Sequence, residues 1–126
     1  LMDGKEVTLL ATGAALPRAF AAAETLRSQG IGVRLISLPT IKPLDRELLL
    51  AAARETGRIV TVEEHYVAGG MGSAVAELLA RELPTPMRMV GVGDRFPPSG
   101  PYDEVLRDNG LQPDQIVATV REFLKA

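Results

Sequence analysis

The chain has 126 residues, 46% of them apolar, 24% charged and 4% aromatic, with a net charge of -2. That size suits one domain spanning 1–126 with a core of its own, and the charge balance offers no basic face for nucleic acid. With no cysteine, no tryptophan and one histidine, disulfides, thiol nucleophiles, thiolate or multi-histidine metal sites and a base-stacking surface are all excluded.

No run approaches the roughly 18 apolar residues of a membrane helix and no signal peptide is visible, so the sequence points to a cytoplasmic protein without a membrane partner. Leu1 to Lys5 reads as a ragged start. Glu6 to Thr12 reads as a first strand closed by Gly13. Leu16 to Ser28 follows as a helix with Leu16, Ala19, Phe20, Ala23 and Leu26 at helical spacing, and Pro17 is tolerated in its first turn. Val33 to Leu38 is the second strand. Pro39 and Pro43 bracket a connector, and Asp45 is placed to cap a helix running to about Thr56, with Leu48, Leu49 and Ala52 inward.

Ile59 to Val62 is a short β-rich run with the profile of a buried strand. It leads into a polar, glycine-rich turn, Glu63 to Gly72, and an amphipathic helix, Ser73 to Ala80, with Val75, Leu78 and Leu79 on one side. Met87 to Val92 is a fourth strand, and Gly93 to Pro101 a proline-rich loop. Tyr102 to Asn109 reads as a short helix, and Pro113 starts the last one, with Ile116, Val117, Val120 and Leu124 as its stripe. Strand–helix alternation with crossovers of this length demands a parallel sheet covered by helices on both faces. If the spatial order is second, first, third, fourth, the order reverses between the first and third strands. The loops Thr12 to Leu16 and Glu63 to Gly72 then flank the edge at which open sheets bind ligands.

Four features could carry chemistry. Glu63 and Glu64 could act as an acid/base pair, although consecutive strand residues point to opposite sides. Alternatively, one caps a loop or helix and the other is solvated. His65 stands beside them, either as a reactive imidazole or as a loop or interface residue. Gly69, Gly70 and Gly72, with Ser73, open onto a helix whose free amides could hold an anion; the alternative is a tight turn with Ser73 as cap. Asp94 and Arg95 end the fourth strand and either bind across a partner surface or form a capped turn.

Read together, these stretches resemble a known family. Val62-Glu63-Glu64-His65 followed by Gly69-Gly70-Met71-Gly72-Ser73-Ala74-Val75 is similar to the C-terminal domain of transketolases. So are Leu38-Pro39-Thr40-Ile41-Lys42-Pro43-Leu44-Asp45, Gly93-Asp94-Arg95-Phe96 with Ser99-Gly100, and Asn109-Gly110-Leu111 before Ile116. 1-Deoxyxylulose-phosphate synthase and the beta subunits of 2-oxo-acid dehydrogenases share the domain. His65 and Ser99-Gly100 resemble transketolase, and its split C-terminal subunits, more than the synthase.

The resemblance implies an α/β fold, a three-layer α/β/α sandwich with a mostly parallel sheet. It also implies an antiparallel edge strand ahead of Asp3. Almost nothing precedes Asp3, so that strand is expected to be missing or the chain to be an excised domain. The family enzyme moves a two-carbon ketol unit between sugar phosphates, in the manner of the pentose phosphate pathway, using thiamine diphosphate and a divalent metal. The diphosphate is held elsewhere by a Gly-Asp-Gly motif with a downstream asparagine, and the glutamate that activates the cofactor also lies in another domain. Gly93-Asp94-Arg95 lacks the second glycine, so no catalytic, cofactor or metal residue carries over to this chain.

The expected role is therefore accessory: assembly with other domains or subunits of a homo-oligomeric parent enzyme, with the isolated domain inactive. Glu63, Glu64, His65, Gly69, Gly70, Gly72, Ser73, Asp94, Arg95 and Ser99 are its candidate interface or anion site. The rival readings are a small-anion or nucleotide-binding regulatory module and a protein-docking domain of one of the relatives.

Overall fold

A computed structural model describes all 126 residues. The elements are β1 (Val7–Ala11), α1 (Leu16–Ser28), β2 (Val33–Ser37), α2 (Arg46–Thr56), β3 (Ile59–Tyr66), α3 (Met71–Glu82), β4 (Met87–Val92), α4 (Tyr102–Asp108) and α5 (Pro113–Lys125). A 3-10 turn, Gly13–Ala15, lifts the chain from β1 into α1. The strands lie in the order β2-β1-β3-β4, all parallel, with Leu9 of β1 beside both Leu35 and Val60. The order therefore reverses between β1 and β3, the condition on which the sequence reading placed the ligand-binding edge.

Alternating side chains divide the sheet's residues between two cores. Leu9, Leu35, Val60 and Val62 pack under α1 and α5, against Ala19, Ala22, Ala23, Leu26, Ile116, Val120 and Phe123. Leu10, Ile36 and Ile59 face α2 and α3, against Leu49, Leu50, Ala53, Met71, Val75 and Leu79. Burying each large aliphatic side chain contributes about 1.5–3 kcal/mol, and these two layers hold the edge on which the site is built. Helix ends follow local chemistry. The Asp45 carboxylate accepts the Leu48 N–H at 3.1 Å, and Gly57 at φ +66° closes α2.

The structure corrects the sequence reading at several points. Leu48 and Phe20 are partly exposed, and Leu50 and Ala22 are buried in their stead. In α5, Phe123 is buried and Leu124 only partly so. The first residues are not ragged: Met2 forms an antiparallel bridge to Leu35 beyond β2, with N–H to O distances of 3.2 and 2.9 Å. The antiparallel edge thus exists as one bridge rather than a strand. The largest differences lie at the end of β3, which runs four residues beyond Val62, and at α3, which starts at Met71 rather than Ser73. β3 is prolonged by the pairing of Tyr66 with Val92, and α3 starts early because Glu63 holds its first amides.

Candidate functional site

β3 carries a bulge at its carboxyl end. Val62 lies opposite Val90 and Tyr66 opposite Val92, so four steps along β3 match two along β4. Bulges re-aim side chains at sheet edges. Here Glu63, Glu64 and His65 leave the ladder at the central strand, beside the point where strand order reverses.

Glu63 turns toward α3 and is completely buried. Its Oε2 accepts the Met71 N–H at 2.6 Å and its Oε1 accepts the Gly72 N–H at 2.9 Å. These are the first free donors of α3, so the carboxylate sits on the positive end of the helix dipole. The Nε2 of His65 also lies against Oε2. Close approach requires the glycines. A Cβ on Gly72 would lie 2.7 Å from the Thr61 hydroxyl and 3.0 Å from Glu63 Oε1. One on Gly70 would lie 2.5 Å from the Tyr66 carbonyl oxygen and 2.9 Å from His65 Cδ2.

This arrangement bears on two of the alternatives. The N-terminus of α3 is filled by the chain's own carboxylate, and an external anion at Gly69 to Ser73 would have to displace it. Ser73 is not the helix cap either. Its hydroxyl accepts the Gly69 N–H at 2.9 Å and donates to the Val67 carbonyl at 2.7 Å, closing the turn from inside the helix.

Glu64 points to the opposite face and meets a different set of residues, so the two carboxylates do not converge on one reacting atom. Its Oε1 accepts the Tyr102 hydroxyl at 2.5 Å, and its Oε2 lies 3.7 Å from the Arg18 guanidinium. Arg18 also stacks 5.1 Å over the Tyr102 ring and reaches Asp103 at 3.9 Å. Glu64 is therefore paired rather than solvated, and it ties β3 to the starts of α1 and α4. Its hydrogen bond raises the Tyr102 phenol above its ordinary pKa, with desolvation adding to the shift.

Asp94 and Arg95 divide their roles. Arg95 donates to the Asp108 carbonyl at 2.8 Å and to Asn109 Oδ1 at 3.1 Å, and so caps the end of α4. Asp94 and Ser99 are exposed and make no side-chain hydrogen bond. Next to them, Tyr66, Ala68, Asp94, Arg95 and Phe96 line an open depression of about 480 Å³. Phe96 is 98% exposed and Tyr66 is 44% exposed. Arg18 and Tyr102 are the site's residues that motif reading missed, whereas Tyr66 and Phe96 lie within stretches it singled out without being named as site residues. Arg18 follows the loop after β1 and Tyr102 the proline-rich loop after β4, and no motif marks either as a site residue.

The family model for the transketolase C-terminal domain matches residues 1–116. The chain belongs to the transketolase C-terminal domain family. It is 43% identical over 122 residues to a 6-deoxy-6-sulfo-D-fructose transketolase subunit of Clostridium sp. (strain MSTE9), covering 97% of this chain and 38% of that protein. It is 41% identical to an apulose-4-phosphate transketolase subunit of Phocaeicola vulgatus, covering 99% of this chain and 40% of the relative. Among solved structures, a split-gene transketolase in an inactive beta4 tetramer superposes with a TM-score of 0.92 at 45% identity, covering 98% of this chain and 41% of that one. The chain thus spans about two-fifths of these relatives' length.

The family's thiamine diphosphate and metal do not fit the residues present. No group of three His, Asp or Glu side chains is placed to hold a metal ion, and the one buried carboxylate is committed to the amides of α3.

Proposed function

We propose that the chain is the C-terminal accessory and assembly domain of a thiamine-diphosphate-dependent transketolase-like enzyme, inactive in isolation. The parent would transfer two-carbon ketol units between sugar phosphates, act as a homo-oligomer in the cytoplasm and hold its cofactor and metal in other domains or subunits. One observation carries the reading. At the edge where open α/β sheets bind ligands, Glu63 holds the first two amides of α3, and Glu64 accepts the Tyr102 hydroxyl and lies beside Arg18. Both carboxylates are spent on structure, whereas Phe96 and Tyr66 remain exposed, as aromatic anchors of a contact surface would be.

A titration of thiamine diphosphate and Mg²⁺ into the purified chain, followed by calorimetry, tests this. No saturable heat is expected; saturable micromolar binding overturns the assignment. A second reading, the equivalent domain of a 1-deoxyxylulose-phosphate synthase, is supported by 41% identity to such a synthase from Heliobacterium modesticaldum. An upstream reading frame encoding the Gly-Asp-Gly-bearing partner of a split enzyme would decide against it.

A further inference from the structure

α4 is seven residues long, and Leu106 is its one buried residue. It begins after Pro101 with no side-chain cap. Its hydrogen bonds to other elements all lie at the surface. Tyr102 donates to Glu64 and Arg107 to Asp114, and the side-chain amides of Gln112 and Gln115 donate to the Asp103 and Arg107 carbonyls. Water competes for each of these bonds. Within the segment, Arg95 of the preceding loop donates to the Asp108 carbonyl and to Asn109, so loop and helix are tied together. At its two ends, Gly93 and Gly110, a Cβ would meet nothing within 4 Å, and the backbone turns there without obstruction.

The segment also covers two polar atoms that it leaves unsatisfied. Arg18 stacks on the Tyr102 ring and Glu64 accepts the Tyr102 hydroxyl, yet Arg18 Nε and Glu64 Oε2 are shut off from solvent and make no hydrogen bond. Buried polar atoms without partners cost free energy that hydration recovers. Against opening stands the burial of a single leucine, Leu106.

We infer that Gly93 to Gly110 is a latched strap, which opens as one unit about its two glycines while the sheet and the remaining helices stay folded. The Glu64–Tyr102 hydrogen bond is its latch. Opening hydrates Arg18 and Glu64, withdraws Leu106 from its core layer and carries Phe96 away from Tyr66 and Ala68. The depression that Phe96 shares with them is therefore conditional: it exists while the strap is shut. This goes beyond the accessory-domain reading and does not depend on it.

Native-state hydrogen exchange of the full chain, followed by NMR over a series of sub-denaturing urea concentrations, tests the inference. The amides of Val105, Asn109 and Gly110 bond to the Pro101, Leu106 and Arg107 carbonyls, and all three bonds lie within the strap. They should share one opening constant, larger than that of the β1 and β3 amides by about 100-fold or more. Urea should accelerate the strand amides steeply and leave the strap amides nearly unchanged, because opening the strap exposes little surface. Tyr102→Phe keeps the ring over Arg18 and removes only the hydroxyl, so it should speed the strap amides roughly two- to fivefold, as loss of one hydrogen bond near solvent does. Strap amides that follow the strands in urea overturn the inference. So does a graded fraying along α4, or a Tyr102→Phe chain with unchanged strap exchange.

Discussion

Replacing Glu63 with glutamine tests whether this carboxylate holds the site together. The change preserves shape but leaves one acceptor where there were two. Oxygens 2.6 Å from the Met71 nitrogen and 2.9 Å from the Gly72 nitrogen would become one oxygen and one NH₂ group. Whichever way the amide turns, a donor faces a donor in a fully buried position. A bond to a charged group contributes about 1.5–3 kcal/mol, and a buried unpaired N–H costs about 1–3 kcal/mol. Removing a buried charge offsets part of this. The expected net loss is therefore roughly 2–4 kcal/mol, a large share of the 5–15 kcal/mol typical of a domain. Urea unfolding followed by circular dichroism should show a lower midpoint at unchanged slope, and the melting temperature should fall by about 10 °C. A loss under about 0.5 kcal/mol would refute the reasoning, because that is the range of an indifferent surface change.

Other expectations use the same assays. Gly72→Ala should destabilise the fold by about 1–3 kcal/mol, because its Cβ meets the Thr61 hydroxyl and Met89 as well as Glu63. Glu64→Gln should cost under about 1 kcal/mol, since its pairings lie near solvent. Phe96→Ser should leave the melt of the free chain within about 0.5 kcal/mol yet weaken binding to the partner about tenfold or more. The Tyr102 phenol, isolated as the difference between the chain and its Tyr102→Phe variant in a phenolate absorbance titration, should ionise above 10.0, and Glu64→Gln should lower it. The sign follows from a raised folded pKa. The Glu64–Tyr102 contact supports the fold below the unfolded phenol's pKa and is lost as pH rises through the folded one.

The architecture was readable because each element announces itself locally. α1 and β4 have the expected limits, and Asp45 caps α2 as its position suggests. The site was half readable. That Glu63 and Glu64 face opposite ways follows from the two-residue period of a strand, and that one of them caps a helix was among the alternatives. Which one, and at what depth, was not. A carboxylate next to a glycine-rich stretch looks like loop chemistry, and only the folded chain shows α3 closing on it. The same contact explains why α3 begins earlier than its sequence suggests: Gly72 is a poor helix former, but its N–H is held by Glu63. Arg18 and Tyr102 come from distant segments, and no local pattern announces a partner that only tertiary structure supplies.

The bulge in β3 also limits how this edge can vary. Four residue steps on β3 against two on β4 leave an even surplus, so side chains beyond the bulge remain in phase with those before it. A single-residue insertion or deletion between Val62 and Tyr66 would reverse that phase, turning Tyr66 toward α3 and away from Phe96. Changes of two residues would keep the aromatic surface facing outward. Length variation at this edge should therefore come in pairs, and a rim built this way can be lengthened or shortened toward a new partner without repacking either core.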